Sequence, residues 1–193
     1  MHPIRATLLA TLTVLTACAP AGDTALENGQ PVGLLEYTAT APADWEPMPT
    51  ASTMRLAEFA VAASGDEGGG EVVAYFFGPG QGGSVEANTQ RWTAQFFDGD
   101  GNHPEPAVEV LEDGVFPTTV VTLEGSYART VGMGGAPAEA VPGQMLVAAV
   151  VETPRGSLYI QLHGPAETVR GERDAFLAFV RTVRPQSPGG TSG

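Results

Sequence analysis

Residues 32 to 184 alternate between the two-residue apolar spacing of strands and the wider spacing of helices. Gly33 to Thr40 predicts a first strand, closed by the turn-rich Ala41-Pro42-Ala43-Asp44, and Met54 to Ala62 a second. Glu71 to Phe77 (EVVAYFF) is apolar on both faces, as a strand covered on both sides would be. After the glycine-rich Gly78 to Gly83, Ser84 stands as an N-cap with Glu86 in the first turn, predicting a helix to about Phe97. Val85, Trp92 and Phe96 recur on it at helical spacing and should pack on the sheet. Pro117 to Tyr127 alternates like a strand with one wet face. Gln144 to Glu152 and Ser157 to His163 flank Thr153-Pro154-Arg155-Gly156, an antiparallel hairpin with turn chemistry at its centre. Gly164-Pro165 opens a last helix whose buried stripe is Val169, Phe176, Val180 and Val183. The expected class is α+β, an antiparallel sheet with two main helices packed on it, because a doubly wound parallel sheet needs more crossover helices.

The ends read differently. His2 and Arg5 precede twelve apolar or small residues from Ala6 to Ala17, the length of a signal h-region and too short to span a bilayer. The run closes in Leu15-Thr16-Ala17-Cys18, which resembles the lipobox of bacterial lipoproteins: an apolar residue, two small ones that fit a peptidase cleft, then a cysteine. The resemblance implies that residues 1–17 are removed and that Cys18 carries a covalent lipid as the first mature residue. An ordinary secretory signal cut near Ala17-Cys18-Ala19 is the alternative. Cys18 is the only cysteine, so the chain builds no internal disulfide. Residues 18–31 (CAPAGDTALENGQP) have the small, polar composition of a flexible tether, residues 32–184 form one domain, and residues 185–193 (PQSPGGTSG) read as a disordered tail.

Two segments, Phe76 to Phe96 and Met145 to Val169, look like those of an uncharacterised bacterial secreted or lipoprotein family, and the element order is similar to the α/β/α sandwich of the MOG1/PsbP-like group. That group consists mostly of accessory and binding proteins, so the resemblance implies a location and a shape without a mechanism.

Charge narrows the partners. Twenty-two acids face 9 basic residues, all of them arginine, for a formal charge of −13. Nucleic acid needs clustered cations to displace phosphate counterions and is excluded as a main partner, as is a polybasic grip on lipid. The membrane is instead reached through the lipid on Cys18, with an envelope protein or a small ligand as the further partner.

Ser84, Asn88, Arg91 and Gln95 fall on one helix stripe beside Trp92 and Phe96. Amides and a guanidinium edging an aromatic surface could read a planar or carboxylate-bearing ligand, although the same residues could instead satisfy neighbouring backbone groups. Asp98, Asp100 and Asn102 have the oxygen spacing of a calcium loop, with Glu109 at the twelfth position. His103 stands where such a loop wants glycine, and Pro104 and Pro106 crowd the remaining ligands, so a solvated turn without metal is the preferred reading. No cofactor is expected. The catalytic stock is poor: His103 and His163 are the histidines of the domain, and Ser126 or Ser157 could be joined to His163 and an acid only on paper. The expectation is a lipid-anchored, non-enzymatic envelope module exported from the cytoplasm. An assembly factor docking on a membrane complex is the alternative, and a hydrolase a weaker third.

Overall fold

The computed structural model describes residues 26–128 and 139–187. Residues 1–17, Cys18 and the tether as far as residue 25 lie outside the described residues, as do residues 188–193. The strands are β1 (Gln30–Leu34), β2 (Tyr37–Ala41), β3 (Glu46–Met48), β4 (Arg55–Val61), β5 (Gly70–Tyr75), β6 (Phe96–Phe97), β7 (Ala107–Leu111), β8 (Thr118–Tyr127), β9 (Val141–Thr153), β10 (Gly156–Pro165) and β11 (Arg184–Pro185). The helices are α1 (Val85–Thr93) and α2 (Ala166–Arg181). Eight strands make one antiparallel sheet in the order β3-β4-β5-β10-β9-β8-β6, with β7 also pairing β8, and β1-β2-β11 make a second, small sheet. The class is α+β, with the large sheet between two helical layers.

Strand alternation divides the interior in two. On one face, Met145, Val147, Ala149 and Val151 of β9 and Leu158, Ile160 and Leu162 of β10 join the larger core with Val169, Phe176, Phe179 and Val180 of α2 and Leu34, Tyr37 and Ala39 of the small sheet. On the other face, Leu146, Ala148 and Val150 join Val121, Leu123, Tyr159, Trp92 and Phe96 in a smaller cluster under α1.

Three sequence expectations are corrected. The strand read over Gly33 to Thr40 is a hairpin, β1 and β2, turning at Leu35-Glu36 with Leu35 at φ 62°. β8 is covered on both faces along its first half: Val121 and Leu123 enter the smaller cluster under α1, while Val120, on the side read as solvated, enters the larger core under α2, and Glu124 farther along that side stays exposed and pairs with Arg170 of α2. The first helix ends at Thr93, and Phe96-Phe97 leave it to pair with Tyr127 and Ser126. The ends are also more ordered than their composition implies. Gln30 and Pro31 of the tether segment belong to β1. Arg184 and Pro185 pair with Thr38 and Tyr37, while the Gln186 side chain donates to the Tyr37 carbonyl at 3.1 Å.

Two carboxylates link this fold to pH. The backbone N–H of Asn102, and with it that of Asp100, donates to Asp98 and holds its carboxyl below the usual range. Arg181 does the same for Asp113 at 2.8 Å. A depressed folded-state pKa contributes stability that is present above the ordinary carboxylate pKa and is lost as pH falls through the folded value. Thermal midpoints should therefore drop below about pH 4. Asp113→Asn should start lower at neutral pH and lose less than wild type on acidification; parallel midpoint curves would count against this linkage.

Candidate functional site

The helix α1 has 9 residues, so it covers only the β8 side of its face of the sheet. Alternation then leaves Val73 and Tyr75 of β5, and Gln161 and His163 of β10, facing a groove rather than a helix. One end is a hollow of about 390 Å³ lined by Arg55, Glu71, Val73, Tyr75, Tyr127, Gln161 and His163. It shares Tyr75, Tyr127 and Gln161 with a second hollow of about 350 Å³ reaching Phe77, Arg91, Trp92, Gln95 and Tyr159. Phe77 and Arg91 continue into a third beside Gln81, Gly82 and Gly83.

Aromatic rings shape this groove. Tyr75 and Phe77 stack at 5.9 Å with 7° between their planes, Phe77 meets Tyr159 at 5.4 Å, and Tyr127 lies 4.5 Å from the His163 ring. The Tyr159 hydroxyl donates to the Gly83 carbonyl at 2.7 Å and so fixes the glycine loop at the groove mouth. At the far end, Arg55 bridges Glu58 at 2.8 Å and Glu71 at 3.3 Å and lies 5.4 Å from the Tyr75 ring centre. Burial works against the Arg55 charge, but Tyr75, Glu58 and Glu71 together outweigh it and raise the pKa.

The helix stripe divides by role. Arg91, Trp92 and Gln95 line the second hollow, with Trp92 presenting only an edge because it is 3% exposed. Ser84 is the N-cap, its hydroxyl accepting from the Ala87 N–H at 3.1 Å. Asn88 is fully buried; its amide donates to the carbonyls of Gly82 at 2.8 Å and Ser84 at 2.9 Å, and its oxygen accepts from Arg91. These two residues hold the loop and the arginine instead of lining the groove.

The calcium-spaced residues are not brought together. Asp98 accepts from the N–H groups of Asp100 at 2.9 Å and Asn102 at 2.8 Å, closing a tight turn on itself. Glu109 lies in β7 and pairs with Arg173 of α2, because alternation turns it to the face opposite Val108 and Val110. Among the described residues no three His, Cys, Asp or Glu side chains gather as a metal site.

His163 was expected at a strand end and sits inside β10, opposite Glu71 and Leu146, on the groove face. Ser157 lies six residues away on the same strand, about 20 Å at strand rise, out of reach of that imidazole. His103 faces the Phe96 carbonyl at 2.9 Å through Nδ1 and packs on Phe97 at 4.9 Å. Tyr75, Tyr127, Gln161 and His163 were not singled out from sequence as groove residues. The available signal was an amide and an imidazole two residues apart on a strand whose opposite face, Leu158, Ile160 and Leu162, is apolar and buried. Among the described residues no helix is long and apolar enough to cross a membrane.

No family model matches the chain, and no curated protein matches it in sequence. Solved structures are similar to it in fold. PA94 from Pseudomonas aeruginosa, a protein of unknown function, is 14% identical with a TM-score of 0.45, covering 82% of this chain and 98% of that one. A protein from Bacteroides thetaiotaomicron VPI-5482 is 9% identical with a TM-score of 0.42, over 81% of this chain and 47% of its own. The cyanobacterial PsbP (CyanoP) from Synechocystis sp. PCC 6803 is 14% identical with a TM-score of 0.46, over 89% of this chain and 99% of its own.

Proposed function

We propose that this chain is a binding module of a bacterial envelope, tied to a membrane by lipid on Cys18 and acting through the groove beside α1 without catalysis. The observation that carries the reading is that groove: a continuous hollow edged by aromatic rings, three glutamines and an arginine, the mixture by which ligand sites combine apolar area with a few orienting polar groups. The anchor rests on Leu15-Thr16-Ala17-Cys18 after the short apolar run. Two or three acyl chains, at about 0.8 kcal/mol per buried CH₂, would hold the protein on a bilayer without a spanning helix.

Metabolic labelling with a palmitate analogue should tag the wild-type protein, and Cys18→Ser should lose the label and be released from membranes. A labelled, membrane-bound Cys18→Ser protein would remove the anchor. Gln161→Trp, which fills the groove, should abolish retention of the envelope partner in a pull-down of the lipidated protein. A second reading, an assembly factor docking through protein surface, is favoured by Val108 and Val110, 55% and 64% exposed on the edge strand β7. Val110→Lys separates the two: it should leave partner retention intact if the groove is the site and abolish it if the edge is.

A further inference from the structure

In so acidic a protein, a guanidinium that meets no carboxylate is conspicuous. Among the described residues Arg55, Arg155, Arg170, Arg173 and Arg181 each pair with an acid, whereas Arg91 and Arg184 do not, and of these two Arg91 lines the groove. Its partner is the neutral amide oxygen of Asn88, which the Gly82 and Ser84 carbonyls fix from the other side. Arg91 is thus positioned by a rigid, uncharged group and keeps its full charge, with further N–H donors to offer. No Asp or Glu lines either hollow that Arg91 shares; the acid of the groove, Glu71, sits at the other end beside Arg55. The α1 half of the groove is therefore a confined positive spot on a chain of formal charge −13.

We infer that this half of the groove binds a single carboxylate carried on a six-membered ring, the Arg91 fork taking the carboxylate and Phe77 and Tyr75 meeting one face of the ring. The inference rests on the binding-module reading and gives its site a ligand class. Gln95 and Gln161 supply donors and acceptors for ring substituents, and a hollow of about 350 Å³ has room for one or two rings. The protein's own negative charge disfavours a polyanion, whereas one carboxylate matches one guanidinium. Two kinds of small molecule share this chemistry, a sugar acid and an aromatic acid.

The test is calorimetric titration of the full-length lipidated protein in micelles with glucuronate and benzoate, set against their uncharged counterparts glucose and benzyl alcohol. At least one acid should bind about tenfold or more tightly than its neutral counterpart. Arg91→Gln should remove that preference, and Arg91→Lys, which keeps the charge and loses the fork, should retain part of it. Arg184→Gln is the control, since Arg184 donates to the Thr182 carbonyl away from the groove and its loss should change nothing. Preference for glucuronate alone assigns a sugar acid and for benzoate alone an aromatic acid. Equal binding of acid and neutral compound, an unaffected Arg91→Gln protein, or no binding of either acid overturns the inference. If neither acid binds while Gln161→Trp still strips the envelope partner, the ligand class falls and the module stands. If the acids bind through Arg91 and the partner is unaffected, the reverse holds.

Discussion

Trp45→Ala is expected to lower the unfolding free energy by about 3–5 kcal/mol, a fall of about 10 °C in melting temperature for a domain of this size. Trp45 leads from the small sheet into β3, yet its ring is 2% exposed and lies 5.4 Å from Phe179 of α2 and 5.8 Å from Phe59 of β4. Its indole N–H donates to Glu172 at 3.1 Å, and its carbonyl accepts from the Gln30 side chain at 2.7 Å. One residue therefore joins the helix, the large sheet and the first strand. Truncation would open a cavity among aromatic rings that rigid neighbours cannot fill. Trp45→Phe should keep most of the packing and lose far less. Denaturant titration of the two variants checks this, and a Trp45→Ala midpoint close to wild type would show that the cluster is dispensable. Because the chain has only two tryptophans, Trp45→Phe would also leave Trp92 as a lone fluorescent reporter of the groove.

Gly82→Ala should destabilise by about 2–5 kcal/mol, for two separable reasons. Gly82 has φ +92°, where a side chain is strained, and a Cβ there would meet the Tyr159 ring at 2.5 Å and its hydroxyl at 2.6 Å. That ring cannot withdraw, because Tyr159 is 1% exposed, packs on Phe77 and is tied to the Gly83 carbonyl. Gly80→Ala separates the contributions: its φ is +68° with nothing within 4 Å of the added carbon, so it should show the backbone strain alone. Adding Tyr159→Leu to Gly82→Ala should recover part of the loss, which a double-mutant cycle measures as coupling between the two sites. Strict additivity would place the clash elsewhere. Since the Gly82 carbonyl anchors Asn88, and Asn88 holds Arg91, the same variant should weaken any ligand of the α1 half.

What the sequence disclosed follows how local each signal is. The α2 stripe of Val169, Phe176 and Val180, continued by the buried Val183 just past the helix end, and the β9–β10 hairpin at Pro154-Arg155, are set by spacing and turn residues within a few positions, and both stand in the fold. The Leu35-Glu36 turn was hidden because leucine is not a turn former and gives no hint of a positive φ. β7 was missed because its valines stay exposed and prolines precede it, so no buried face marks it as a strand. The helix stripe was visible as a set, but its division into Arg91, Trp92 and Gln95 at the groove and Ser84 and Asn88 on backbone carbonyls depends on where the glycine loop passes. Tyr75, Tyr127, Gln161 and His163 come from three strands and meet only once the sheet is paired.

Two-sided alternation along Met145 to Val151 has a bearing on how such a protein can diverge. Odd positions answer to α2 and the small sheet, and even positions to the side that carries the groove. Drift in one set need not be compensated in the other. Lineages sharing this scaffold could re-letter the recognition side while the opposite side preserves the shape, and an engineer could graft a new specificity by the same route.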